Sequence, residues 1–152
     1  MDVKLDTTID GVSVRPLKVI GDERGAVMHM LRADSPEFTT FGEVYFSVIK
    51  PGVIKAWKRH QQMTQRITVP FGKIKLVIVD TRSDSHTHGM TQEVLLGRPD
   101  HYQLVKIPPL LCYGFQNIST EEAIIANCPD RAYEANESEQ LDLSAKELSY
   151  VW

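Results

Sequence analysis

The chain has 152 residues, with 17 Lys or Arg against 20 Asp or Glu, and a net charge of -3 when its histidines are neutral. This length fits one domain spanning residues 1–152. The balanced charge argues against nucleic acid or a membrane surface as a partner. The start, MDVKLDTTID, lacks the apolar core of a signal peptide, and no apolar run reaches the length of a membrane span, so we expect a cytoplasmic protein. Two cysteines, Cys112 and Cys128, predict reduced core thiols rather than a disulfide scaffold.

Short runs rich in Val, Ile and aromatic residues recur along the chain, and each has the length of a β-strand. The predicted strands are Gly11–Val19, Val27–Leu31, Glu43–Lys50, Val53–Trp57, Arg66–Pro70, Lys73–Asp80, Thr91–Leu96, Tyr102–Ile107, Gly114–Ile118 and Ala123–Asn127. Proline and glycine fall between the runs, where turns need them. Many short strands separated by turns favour an all-β sandwich or barrel.

Alternation is clearest in residues 73–80, KIKLVIVD. Its lysines lie on one face of the predicted strand, and Ile74, Leu76 and Ile78 lie on the other. Two valines share the lysine face, so we expect both faces of this strand to be at least partly covered.

The end of the chain has a different character. The acidic stretch Glu134–Gln140 and the tail LSAKELSYVW, residues 143–152, lack a strand pattern. We expect the tail to form a short helix or a docked strand, with Trp152 packed against the domain.

Three segments resemble, in order, the dTDP-4-dehydrorhamnose 3,5-epimerase family. They are GDERGAVMHMLR at 21–32, KPGVIKAWKRH at 50–60 and KIPPLLCYGFQNIS at 106–119. The resemblance implies a jelly-roll (cupin) barrel, usually assembled as a homodimer. It also implies a nucleotide-linked sugar bound in the barrel mouth without a metal or another cofactor.

The chemistry of this family is removal of a proton from a carbon beside a keto group, followed by its return on the opposite face. Such chemistry needs a base, a cation or donor that holds the enolate oxygen, and an acid. We therefore predict an isomerase acting on a nucleotide-linked 4-keto-6-deoxy sugar in surface polysaccharide biosynthesis. The alternative is a catalytically degenerate cupin that binds sugar nucleotides or carbohydrate as a regulatory or binding module.

The family's catalytic positions are altered in this chain. Lys58 replaces the catalytic histidine, and Ala126 stands where the family has its tyrosine acid. His60 shares a strand face with Lys58, and Tyr113 occupies the position of another family histidine. We predict His60 as the base, Lys58 as the group that stabilises the enolate and Tyr113 as the acid. The family's aspartate that orients its histidine belongs to a tail with no expected counterpart here.

Each of these three roles has an alternative reading. Lys58 could itself be the base if neighbouring cations lower its pKa, or it could pair with a phosphate or face solvent. His60 could be a hydrogen-bonded histidine at the rim of the barrel, and Tyr113 a core aromatic.

The predicted substrate-binding positions are better retained. Arg24 matches the family's diphosphate-contacting arginine, and Lys55 keeps the charge of another arginine. The family's nucleobase-contacting glutamate falls near His29, while its substrate-facing glutamine and asparagine fall at Glu43 and Tyr45. These changes predict an altered nucleotide or sugar preference.

Two further predictions concern the enolate and metals. The family's enolate-stabilising lysine aligns with Gln65, with Arg66 as the alternative register. A cupin metal site needs several His or Glu ligands, but Lys58 and Tyr113 occupy two of the positions and only His60 remains. We predict no metal site.

Overall fold

The computed structural model describes residues 8–152, and every regular element within that range is a β-strand. The strands are β1 (Ser13–Pro16), β2 (Val19–Asp22), β3 (Gly25–Met28), β4 (Tyr45–Ile49), β5 (Ile54–His60), β6 (Gln65–Phe71), β7 (Ile74–Asp80), β8 (Thr91–Leu96), β9 (Gln103–Ile107), β10 (Leu111–Asn117), β11 (Ala123–Asn127) and β12 (Ser138–Gln140). Within that range there is no helical segment with the length and apolarity needed to cross a bilayer.

Two five-stranded antiparallel sheets form the body of the protein. One has the order β1-β9-β6-β11-β4 and the other β12-β5-β10-β7-β8, while β2 and β3 form a separate hairpin. Apart from β7 and β8, neighbouring strands in each sheet are not consecutive in the chain, as in a jelly roll. The predicted all-β jelly-roll fold is confirmed.

The space between the sheets holds the largest apolar cluster. Ile74, Leu76 and Ile78 on β7 are fully buried there, as their alternation predicted. Val77 and Val79 are also buried, but on the outer face of the same strand. Both faces of β7 are therefore covered, which explains why its sequence is apolar almost throughout.

The C-terminal tail provides the cover on the outer face. From residue 141 onward the described chain forms turns and irregular backbone rather than a helix or a strand. Leu148, Tyr150 and Trp152 pack against Trp57 of β5. The prediction that Trp152 packs against the domain is confirmed. The prediction of a helix or a strand in the tail was wrong, because side-chain packing rather than backbone pairing with a neighbouring strand holds this segment.

Several strand bounds differ from the pattern-based ones; for example, β5 extends to His60 rather than ending at Trp57, and β10 begins at Leu111 rather than Gly114. The run predicted at Gly11–Val19 is divided into β1, which pairs with β9, and β2, which belongs to the separate β2–β3 hairpin. The strand predicted at Val27–Leu31 is β3, two residues earlier and shorter. The acidic stretch contains β12, whose pairing with β5 compensates for its weak strand pattern.

Candidate active site

A cavity of about 390 Å³ opens between the two sheets. Strands β4, β6 and β11 of one sheet and β5, β10 and β12 of the other contribute to its wall. The lining combines aromatic and aliphatic side chains with polar and charged ones: Tyr45, Ser47, Lys55, Ala56, Trp57, Lys58, Ile67, Tyr113, Phe115, Ile125, Asn127, Gln140 and Leu141. This composition is typical of a small-molecule pocket, in which a few polar groups orient a ligand.

A register shift between β10 and β5 brings two lysines to this cavity. Tyr113 pairs with Lys58, but Phe115 pairs with Lys55. A step of two residues along β10 therefore matches a step of three residues along β5. Residues three apart on a regular strand lie on opposite faces, and the bulge puts both lysines on the same one. Gly114 lies at the shift, where a side chain would collide with the Cβ of Ala56.

The two ammonium groups differ in their surroundings. Lys55 is exposed at the mouth and donates a hydrogen bond of 3.3 Å to the carbonyl of Val48. Lys58 is half-buried, and within residues 8–152 its side chain makes no hydrogen bond or ion pair. Lys58 therefore presents an unengaged positive charge to whatever enters the cavity.

His60 lies behind the cavity wall. It is 6 % exposed, and its Nε2 lies 3.3 Å from the hydroxyl of Tyr113, which lines the cavity. Its Nδ1 lies 2.7 Å from a carboxylate oxygen of Glu137. The sequence predicted no carboxylate for the histidine, because Glu137 lies 77 residues away in a stretch without a motif.

The carboxylate of Glu137 is held in place by more than His60. The backbone N–H groups of Gln62 and Met63 each donate to it at 2.9 Å. Burial alone would raise the pKa of Glu137, but these hydrogen bonds and that from His60 keep its pKa below the usual value. Glu137 is accordingly ionised at neutral pH.

A second polar group lies on the β11 side of the cavity. Asn127 accepts a hydrogen bond from the N–H of Arg66 and donates to the hydroxyl of Tyr45 at 2.9 Å and to Oε1 of Gln65. In the described part of the chain, the buried Nε2 of Gln65 has no acceptor. Sequence reasoning missed Asn127, because matching to the family's tyrosine position pointed to its neighbour Ala126.

Gln65 and Arg66, the two candidates for the enolate-stabilising position, lie on opposite faces of β6. Gln65 shares the face of Ile67, which lines the cavity. Arg66 is fully buried on the other face, where it donates to the carbonyls of Cys128 and Thr40, both at 2.7 Å. Arg66 anchors the loop before β4 and does not reach the cavity.

Besides Gln65, which is buried behind the wall, three more predicted binding residues do not line the cavity. Arg24 is exposed in the β2–β3 turn and pairs with Asp22 at 2.6 Å. His29 lines a separate surface cleft, and Glu43 precedes β4 without lining the cavity. The structure thus groups Lys55, Lys58, Tyr45 and Tyr113 around one space.

No cluster of three or more His, Cys, Asp or Glu side chains suited to a metal occurs among residues 8–152. Both ring nitrogens of His60 are engaged, one by Glu137 and the other by Tyr113. The arrangement resembles a hydrogen-bonded acid–base chain more than a set of metal ligands.

Comparison with known proteins gives matches over almost the whole chain. The family model for dTDP-4-dehydrorhamnose 3,5-epimerase matches residues 6–152. A probable low-salt glycan biosynthesis epimerase of Haloferax volcanii is 32% identical, over 87% of this chain and 85% of that protein.

Solved structures give matches of similar extent. A dTDP sugar isomerase from Desulfovibrio desulfuricans is 44% identical, with a TM-score of 0.93 over 95% of this chain and 92% of that one. A dTDP-6-deoxy-D-glucose-3,5-epimerase from Legionella pneumophila, in complex with dTDP-4-keto-L-rhamnose, is 25% identical, with a TM-score of 0.85 over 97% of this chain and 81% of that one.

Proposed function

Because the chain belongs to the dTDP-4-dehydrorhamnose 3,5-epimerase family, we propose that its cavity binds a nucleotide-linked 4-keto-6-deoxy sugar and inverts a carbon beside the keto group. The protein is a sugar-nucleotide epimerase of polysaccharide biosynthesis. The alternative of a binding module without catalysis is not favoured, since relatives over most of the chain are named as epimerases or isomerases.

One observation carries the proposed chemistry, namely the pairing of Lys58 with Tyr113 across neighbouring strands at the cavity. An ammonium group stabilises the negative charge that develops on a keto oxygen as the adjacent carbon loses its proton. The phenol, linked to His60, supplies a group that can accept or return that proton. A cation and a proton-transfer group then lie within reach of one bound sugar.

The diphosphate is the other anionic part of such a ligand. Lys55 lies at the cavity mouth, where it can pair with a phosphate while Lys58 remains at the reacting carbon. The hydroxyl of Tyr45, which lines the cavity, supplies a further polar contact. These side chains account for binding without a metal ion.

We also propose a homodimer, supported by apolar surface at two places. The β2–β3 hairpin exposes Val27 and Ile20, and the edge strand β4 exposes Phe46. Unpaired sheet edges with apolar side chains are normally covered. Arg24 lies on the same hairpin, so the diphosphate contact inferred from family resemblance would be made in the partner's cavity.

The test is deuterium incorporation into a panel of dTDP-, CDP- and GDP-linked 4-keto-6-deoxy sugars in heavy water, followed by mass spectrometry and NMR. At least one member should gain deuterium beside the keto group with this enzyme and not without it. Exchange is the right measurement because it detects proton removal even when no net product accumulates. Binding of a panel member without exchange would support the binding-module alternative instead.

A further inference from the structure

Three side chains from separate parts of the sequence form a continuous hydrogen-bonded chain into the cavity wall. Nδ1 of His60 lies 2.7 Å from Glu137, and its Nε2 lies 3.3 Å from the hydroxyl of Tyr113. The side chains of His60 and Glu137 are 7 % and 8 % exposed. Of the three residues, Tyr113 alone lines the cavity.

The protonation state of these three hydrogen-bonded side chains follows from the groups at the two ends, Glu137 and Tyr113. Glu137 is ionised and therefore only accepts hydrogen bonds, so Nδ1 of His60 carries a proton. In the neutral imidazole Nε2 is then an acceptor, and the hydroxyl of Tyr113 donates to it. The three hydrogen-bonded side chains are oriented to move a proton from the cavity toward Glu137.

We propose that Tyr113 is the catalytic residue that takes the proton from the substrate carbon, and that it acts as a relay to His60, with Glu137 as a positioning residue. This assignment rests on the proposed function and refines it. The sequence predicted His60 as the direct base and Tyr113 as the acid. In the structure the phenol, not the imidazole, lines the space that a sugar would occupy.

The proton balance of the step is simple. The C–H bond beside the keto group breaks, its proton goes to the oxygen of Tyr113, and the phenolic proton moves to Nε2 of His60. The electron pair of the C–H bond becomes the enolate, which the ammonium group of Lys58 stabilises. The imidazolium that forms is stabilised by the carboxylate of Glu137.

Burial explains why the two transfers have to be coupled. Desolvation raises the pKa of the Tyr113 phenol, and the nearby hydroxyl of Tyr45 and carboxylate of Glu137 raise it further. A free phenolate at this position is therefore strongly disfavoured. Transfer of the phenolic proton to His60 at the same moment avoids this intermediate.

The decisive variants are Tyr113→Phe, His60→Asn and Glu137→Gln, assayed with the panel member that the parent enzyme exchanges. Each should lower the exchange rate by about 10²-fold, the scale of losing a general base. Affinity for the nucleoside diphosphate of that substrate should change little, because none of the three is a proposed diphosphate ligand. Calorimetric titration with the nucleoside diphosphate alone measures this affinity.

Glu139→Gln is the matched control. Glu139 lies on β12, which pairs with β5, and its carboxylate pairs with Arg59 at 3.1 Å, away from the relay. It should exchange at the parent rate. Glu137→Asp keeps a carboxylate and should recover part of the activity lost in Glu137→Gln. Melting temperatures of all variants separate loss of the relay from loss of the fold.

Two measurements distinguish a relay from independent residues. Combining Tyr113→Phe with Glu137→Gln should cost no more than Tyr113→Phe alone, because residues that act as a unit are not additive. Deuterium at the substrate carbon and heavy water as solvent should each slow the same step, because the substrate proton and the phenolic proton move together.

Parent-like exchange by Glu137→Gln or Tyr113→Phe would overturn the relay while leaving the epimerase function intact. If Tyr113→Phe exchanges normally and Lys58→Gln does not, Lys58 is the base. If the parent enzyme exchanges no member of the panel, both the proposed function and the relay are wrong.

Discussion

The indole of Trp152 lies 5.2 Å from that of Trp57, and Tyr150 packs edge-on against both. Trp57 belongs to β5, next to Lys58, and also lines the cavity. The last residues of the chain therefore support the strand that carries the candidate catalytic side chains. Lys75 of β7 extends over the rings of Tyr150 and Trp152, which adds a cation–π contact on the outer face.

Trp152→Ala should reduce the free energy of unfolding by about 2–3 kcal/mol, since it removes a large aromatic contact from this cluster. Urea unfolding followed by circular dichroism measures the change. Val151→Ala is the matched control, because Val151 is 89 % exposed and its truncation should stay within about 0.5 kcal/mol of the parent. Equal effects of the two substitutions would show that the tail does not stabilise β5.

Lys58→Gln should lower deuterium exchange into the substrate by about 10²-fold or more, because the enolate loses its cationic partner. Lys50→Gln serves as the control, since Lys50 is exposed beside the turn that precedes β5. Its exchange rate should match that of the parent. An active Lys58→Gln enzyme would contradict the proposed role of this ammonium group.

Asp80 should make the fold sensitive to acid. Its carboxylate is fully buried, and although burial raises its pKa, hydrogen bonds from Arg82, Ser85 and Thr87 lower the pKa well below its usual value. A depressed carboxylate pKa stabilises the native state above the unfolded-state value of about 3.9, and that contribution is lost as pH falls below it.

Asp80→Asn tests this assignment through the pH dependence of unfolding. The variant should be less stable at pH 7 by about 3 kcal/mol, since it leaves Arg82 without its buried partner. Its unfolding free energy should also vary less with pH below 4 than that of the parent. Parallel pH profiles for the two proteins would exclude Asp80 as a source of acid sensitivity.

The proposed homodimer predicts a mass in light scattering of twice the 17.2 kDa chain at micromolar concentration. Val27→Asp, on the exposed face of the β2–β3 hairpin, should shift the protein toward monomer by placing a charge in the apolar contact. Val151→Asp should leave the mass unchanged. A monomeric parent would exclude the dimer and with it a role for Arg24 in a partner's cavity.

Several features were predictable because they are properties of local sequence. The alternation of residues 73–80 identified which side chains of β7 face the core, and β8 and β11 have the predicted bounds. The spacing of Lys58 and His60 placed them on one strand face, and the three family-like segments indicated the jelly roll. Periodicity and motifs depend on neighbours in the chain, so they can be detected without a structure.

The arrangement of the site depended on contacts that no local pattern encodes. The bulge at Gly114 adds Lys55 to the face of Lys58, and the orientation of β6 turns Arg66 away from the cavity. Glu137 reaches His60 from 77 residues away because β12 joins the edge of β5. Sequence determined the fold class and the candidate side chains, whereas sheet register and the docking of the tail, set by long-range pairing and burial, decided which of them meet.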